Sequence, residues 1–198
     1  MTGHSSTFSS SNLFDPARIV GTFNCCRTLS VREVDELASM GIPPDVLTDP
    51  VTVASSHVHF DGDQFEFQHH HYREGGVHAF LFLIQDQTTN THDIVAWSPS
   101  LSLLATWLDR AWALGQETIY KPRLSDHDGL PVHRTPEAWL QACRHGICLI
   151  RPNAAAHYLD TAGVLLAEDE AHGDELDQLL TRPAPRILIP SSQLKKAA

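Results

Sequence analysis

Val77-His-Ala-Phe-Leu-Phe-Leu-Ile-Gln85, with Asp93-Ile-Val-Ala-Trp97 eight residues further on, decides the fold class. The run is too short to cross a membrane, which takes about 20 apolar residues. Its Phe, Val and Ile side chains favour an extended chain. Working outward, 51–55 and 64–72 carry the same texture, so 51–97 reads as four strands: 51–55, 64–72, 77–85 and 93–97. Gly75-Gly76 offers a two-residue hairpin turn, since both central positions of a type I′ turn need positive φ. In that register Phe67 opposes Ile84, His69 opposes Phe82 and His71 opposes Phe80. Alternation then puts Phe65, Phe67, His69, His71, His78, Phe80, Phe82 and Ile84 on one face.

Upstream, Ser30 and Glu33 form a capping box ahead of the stripe Val31, Val34, Leu37 and Ala38, and Gly41 stands where the helix ends. Downstream, Leu104, Leu108, Ala111 and Trp112 predict a helix over 100–115, with 101–106 as an alternative strand. The stretch 121–134 is polar with Pro and Gly and reads as a connecting loop. Thr135-Pro136 starts a helix running to His145; 147–150 is a short strand without polar alternation, as in a sheet covered on both faces. A helix from Asn153 to near Gly163, a strand over 164–167 and a helix to about Leu180 follow, with 187–189 as an edge strand. The expected class is α+β: a mostly antiparallel N-terminal sheet with a hairpin, packed with a C-terminal parallel α/β (αβαβα) unit. The expected divisions are a disordered tail (1–12), a mixed lobe (13–120), the connecting loop (121–134), an α/β lobe (135–190) and a tail (191–198).

The 198 residues are 42% hydrophobic and 19% charged, the balance of an ordinary soluble globular protein. The Ser-, Thr- and Gly-rich start has neither the basic nor the apolar region of a secretory signal, so a cytoplasmic location is expected. Net charge is −10, and the arginines are scattered without a basic run, which disfavours general nucleic-acid binding. A protein is the expected partner, and a membrane is not. Cys25, Cys26, Cys143 and Cys148 show no disulfide framework and read as reduced thiols; a zinc site shared between the two pairs lacks the usual two-residue spacer.

The chemistry-bearing clusters are three. His57-Val58-His59-Phe60-Asp61 sets two imidazoles on one side of an extended segment, with a carboxylate two residues on, a pattern able to hold one divalent ion. It equally fits an exposed strand face ending in a turn. His69, His71 and His78 on the hairpin face form a second candidate metal or pH-sensing set, or a polar hairpin tip. Glu168 and Glu170, at the carboxyl end of a parallel strand, are spaced to hold Mg²⁺ through oxygen; they also suit the positive end of the following helix. Zinc or magnesium is the cofactor these sets would take. There is no Gly-rich phosphate loop and no nucleophile elbow.

The string from His57 to Gly62 resembles the His-x-His-x-Asp-His motif of the metallo-β-lactamase fold, with Gly62 where that motif has its last histidine. Glu168, Glu170 and Gly173 fall on the positions of the Asp-x-Asp-x-x-Gly strand end of toprim domains, so 135–180 resembles a degenerate toprim-like unit; that resemblance implies Mg²⁺ chemistry. As a whole, from about residue 30 to 190, the chain is similar to uncharacterised bacterial proteins, some prophage-linked. The likeness runs through Asp93-Ile-Val-Ala-Trp97, Pro136-Glu-Ala-Trp-Leu140, Gly146-Ile-Cys-Leu-Ile150, Ala167-Glu-Asp169 with His172-Gly173, and Pro185-Arg-Ile-Leu-Ile-Pro190. It implies no chemistry. The reading favoured by the residues is an acidic interaction or regulatory protein without catalytic activity, and the alternative is a metal-binding protein or a metal-dependent hydrolase or nuclease-like enzyme.

Overall fold

The computed structural model describes residues 15–49, 52–68, 75–86, 88, 90–120 and 129–181. It opens on a helix that the sequence reading missed. Asp15 accepts a hydrogen bond from Ala17 N, and Pro16 sits in the first turn, where its missing N–H costs nothing. The resulting α1 (Pro16–Asn24) buries Ile19 and Phe23. After the short strand β1 (Arg27–Thr28), α2 (Val31–Ser39) carries the expected capping box with both of its hydrogen bonds made.

Five strands follow: β2 (Ala54–Asp61), β3 (Gln64–Phe67), β4 (Val77–Gln85), β5 (Thr91–Ser98) and β6 (Leu103–Thr106). Neighbours run β1-β2-β3-β6-β5-β4, and β2 pairs with β4 as well, so the sheet closes into a five-stranded barrel. Every pairing is antiparallel except β3 with β6. The expected hairpin across Gly75-Gly76 is therefore corrected. The tight hairpin lies earlier, at Gly62-Asp63, where Phe60 faces Phe65 and Asp61 faces Gln64. Gly62 takes φ +58°, a left-handed conformation that glycine adopts freely. The strand start at residue 51 thus shifts to a longer strand ending at Asp61, which occupies β3 on one edge and β4 on the other. Phe67 faces Val58, Phe80 faces both Ser55 and Trp97, and Phe82 faces Val95.

The single aromatic face splits accordingly. Phe65 and Phe67 join Val58, Ala79, Leu81, Ile94, Ala96 and Ala105 in one apolar cluster contributed by all five strands, the barrel interior, to which α1 adds Ile19 and Phe23. Phe80, Phe82 and Ile84 point outward into a second cluster with Leu37 of α2, Trp97, Trp139 and Cys148. Those outer side chains join the barrel to the C-terminal unit, so the two halves share a core.

The helix expected over 100–115 does not form; the alternative strand does, as β6. Asp93 explains the remainder. Fully buried, it accepts from Ile94 N (2.8 Å) and Leu108 N (2.9 Å) on Oδ1, and from Arg110 N (2.9 Å) and Ala111 N (3.0 Å) on Oδ2. Its carboxylate supplies the partners that helical carbonyls would otherwise give to residues 108–111. The chain can then stay irregular until β7 (Ala113–Leu114).

The second sheet has the order β10-β8-β9-β7, with β8 (Leu130–His133), β9 (Ile147–Leu149) and β10 (Leu165–Leu166) mutually parallel and β7 antiparallel. β8 lies in the stretch read as a connecting loop, and it separates the two strands expected to be neighbours. Its burial alternates, with Leu130 and Val132 inward, which a polar reading of the whole stretch conceals. Three helices interleave: α3 (Pro136–Gln141), α4 (Pro152–Leu159) and α5 (Glu170–Leu180). α3 places Trp139 and Leu140 in the cluster facing the barrel, whereas α4 and α5 place Ala155, Leu159 and Leu176 on the opposite face. The expected strand at 187–189 lies outside the described residues. Among the described residues, no helix is long and apolar enough to cross a membrane.

Candidate functional sites

The histidine-rich segment is distributed over the outer barrel wall. His57, His59 and Asp61 alternate with the inward Val58 and Phe60 and share the outer face, as the i, i+2 spacing predicts. His59 stands opposite Glu66, while His57 stands opposite His78 across β2 and β4, with ring centroids 5.8 Å apart. His69 and His71 lie outside the described residues. Among the described residues, no group of three or more His, Cys, Asp and Glu side chains is arranged to hold a metal ion.

What His78 meets instead is Glu33, a residue singled out in the sequence only as half of a capping box. Glu33 is buried, and its Oε1 accepts from His78 Nε2 at 2.7 Å and from the Arg27 guanidinium at 2.6 Å. Its Oε2 accepts from Ser30 N at 2.7 Å and Ser30 Oγ at 2.5 Å. Burial pushes the carboxyl up, but Ser30 through side chain and backbone, then His78 and Ser55, together bring it down to about 2. Ser55 acts there by proximity, because its buried Oγ has no partner at full hydrogen-bond geometry. Beside this hub, Cys25, Cys26, Arg27 and His57 line a cleft of about 390 Å³. Burial, then Cys25, pushes the Cys26 thiol up to about 11, so it stays protonated at neutral pH and is a poor nucleophile. Cys143 lines a different cavity and Cys148 is buried; all four cysteines are free.

The second cluster sits at the carboxyl ends of β8 and β10. These strands are adjacent, yet the chain leaves β8 for α3 on the barrel side and leaves β10 for α5 on the other. β9, on the other side of β8, also leaves for the far face through α4, and between the ends of β8 and β9 and α5 lies a crevice of the kind in which α/β sheets take ligands. The crevice, about 430 Å³, is lined by His133, Arg134, Leu149, His172, Glu175 and Leu176, among others. Glu168 lies at its rim, with Oε1 accepting from Arg134 N at 3.2 Å and standing 3.5 Å from His133 Nδ1. His133 Nε2 donates to His145 O, so its Nδ1 is the nitrogen left facing Glu168. The buried His172 accepts from Glu168 N on Nδ1, which in the neutral ring puts its proton on Nε2. Arg134 bridges Asp169 at 2.6 and 3.1 Å and Glu175 at 3.3 Å. That guanidinium, together with the N-cap bond from His172 N, holds the Asp169 carboxyl down at about 2. Glu170 starts α5 and is exposed. Of the expected Glu168–Glu170 pair, then, Glu168 enters the cluster and Glu170 faces solvent in the helix's first turn, where its charge suits the helix dipole. Asp169, His133 and His172 complete a group that one-dimensional spacing did not reveal.

A third feature lies where the barrel meets the second sheet. After α3, Cys143 (φ +54°) and Arg144 (φ +59°) are successive left-handed residues, each costing about 1–2 kcal/mol relative to the usual region. Arg144 N donates to Trp139 O at 2.9 Å, and the turn folds the Arg144 side chain back over the Trp139 ring, 5.8 Å from its centroid. Trp139 is fixed in turn by donating from Nε1 to Gly146 O at 3.0 Å. Gly115 (φ +70°) packs against that same carbonyl, and a Cβ there would lie 2.4 Å from it.

No family model, curated protein or solved structure matches the chain.

Proposed function

We propose that the protein is a non-catalytic interaction protein that takes a basic, partly apolar segment of a partner protein into the crevice between α5 and the ends of β8 and β9. The observation that supports this reading is the make-up of the crevice. It has an apolar floor including Leu149, Leu176 and Leu179, and Glu168, Asp169 and Glu175 surround it with Arg134 as their bound cation. A chain of net charge −10 steers a basic partner toward such a rim. The acidic groups are engaged by Arg134, His133 and backbone N–H groups, an arrangement that supports recognition over proton transfer or metal-assisted chemistry.

Fluorescence anisotropy with a labelled peptide alternating Lys or Arg with Leu tests the reading. Expected are saturable binding that weakens as salt rises and a loss of at least about tenfold in Glu175→Lys, whose side chain is exposed. Salt-independent binding, or the same affinity in Glu175→Lys, would overturn the assignment.

A further inference from the structure

We propose that the chain carries its own competitor for the crevice between α5, β8 and β9: the segment 182–190 occupies it in cis, and a partner must displace that segment to bind. This inference rests on the reading of the crevice as a site for a basic, partly apolar segment.

α5 forms one wall of the crevice through His172, Glu175, Leu176, Gln178 and Leu179. The helix ends at Leu180, just past the last of these, and Thr181 leaves it in an extended conformation. The sequence continues Arg182-Pro-Ala-Pro-Arg-Ile-Leu-Ile-Pro190, outside the described residues. It joins two guanidinium groups to the apolar run Ile187-Leu188-Ile189, and the crevice presents the complement of both. Leu149, Leu176 and Leu179 give it an apolar floor, and the carboxylates of Glu168, Asp169 and Glu175 stand around it against the guanidinium of Arg134.

Charge is divided along the chain in the same sense. Residues 182–198 contain four of the 14 Lys and Arg residues and none of the 24 acidic ones. The rest of the chain keeps 10 basic against 24 acidic side chains, so it attracts the segment. Reach permits the contact. From His172 to Leu179 the helix wall is about 10 Å long at 1.5 Å per residue. Nine extended residues cover up to about 30 Å, enough to reverse direction after Thr181 and lie along that wall. Pro183 and Pro185 restrict the link, which lowers the entropy lost on docking. A segment tethered this close acts at an effective concentration on the order of 1 mM. A free ligand then binds with its affinity reduced by the fraction of chains whose crevice is open.

Fluorescence anisotropy on the full chain, with the peptide alternating Lys or Arg with Leu as probe, tests the proposal. Ile187→Ser, Leu188→Ser and Ile189→Ser together remove the apolar run and keep the net charge. This triple variant is expected to bind the probe at least about fivefold more tightly than the natural chain. A labelled peptide of residues 182–190 is expected to bind the triple variant, and at least about fivefold more weakly both the natural chain and the triple variant carrying Glu175→Lys. Sedimentation velocity should show the natural chain and the triple variant equally monomeric. Equal probe affinity in the two chains overturns the proposal and leaves the crevice reading standing, as does a 182–190 peptide that fails to bind the triple variant. A dimer formed only by the natural chain gives the segment to a second copy and also overturns it. If neither chain binds the Lys or Arg and Leu probe, the crevice reading itself falls, and this inference with it.

Discussion

Asp93 and Arg144 are both charged side chains set inside the molecule, one in the barrel wall and one where the barrel meets the second sheet. The Asp93 carboxylate is filled, with four backbone N–H groups on its two oxygens. Arg144 holds two side-chain nitrogens, Nε and Nη2, buried without a hydrogen-bond partner. The barrel therefore uses its buried charge as scaffold, replacing backbone hydrogen bonds that an irregular segment lacks. The junction holds a charge that the fold encloses without pairing those two nitrogens.

The largest effect that sharpens this contrast is expected at Asp93. Asp93→Ala leaves four backbone donors without their acceptor and should cost about 3–5 kcal/mol, measured by urea unfolding. A loss under about 1 kcal/mol would mean that residues 108–111 find other partners, and Asp93 would no longer count as scaffold. Glu33 comes next, since its carboxylate is likewise filled. Glu33→Gln should cost about 1.5–3 kcal/mol, the range for hydrogen bonds to a charged group. Because the folded pKa lies below the ordinary value, this stabilisation is present above about pH 4.5 and is lost as pH falls toward about 2. Urea midpoints between pH 6 and pH 3 should therefore fall less in Glu33→Gln than in the natural chain.

Arg144→Met is expected to behave in the opposite way. Removing an unpaired buried charge gives up a cation–π contact of about 0.5–1 kcal/mol and relieves the desolvation of the guanidinium. Thermal unfolding should show a change within about 1 kcal/mol, neutral or stabilising. A loss of about 3 kcal/mol or more would place Arg144 beside Asp93 as scaffold. The smallest effect is expected at Glu170→Gln, under about 0.5 kcal/mol by urea unfolding, as for a solvated charge in a first helical turn. Metal content tests the histidines of the barrel wall. Untagged protein prepared without a nickel column should carry no stoichiometric zinc or manganese. About one equivalent, lost on changing His57 and His59 to alanine, would return the barrel histidines to the metal reading.

The fold class was legible because its strongest signals are local. The Ser30–Glu33 box, the apolar strands 77–85 and 147–149 and the helix to Leu180 depend on neighbours in sequence. Register was not legible. Two glycine turns competed, and the one at Gly62 prevailed because β2 runs on through the histidines, which places Phe65 and Phe80 on opposite sides of the wall. The helix expected over 100–115 failed for a long-range reason, since Asp93 satisfies that backbone from 15 and more residues away. The sites follow the same division. Alternation correctly predicted a shared side for His57 and His59, whereas the pairing of His78 with Glu33 spans 45 residues. Glu168 carried a local signal, but His133 and Arg134 reach it only through the parallel pairing of β8 with β10. Arg144 carried no signal in sequence, because what distinguishes it is a pair of absent partners.

The barrel's staves are joined unequally, and this predicts how it breathes. β4 meets β5 and β2 along most of its length, whereas β3 and β6 share one residue pair, Gln64 with Thr106, beside which Thr106 N and Oγ1 both donate to Asp63 O. Sub-global opening should begin at that seam and swing the β2–β3 hairpin outward while β4 and β5 stay zipped. In native-state hydrogen exchange the Thr106 amide would then trade its proton well before those of Leu81 or Ala96.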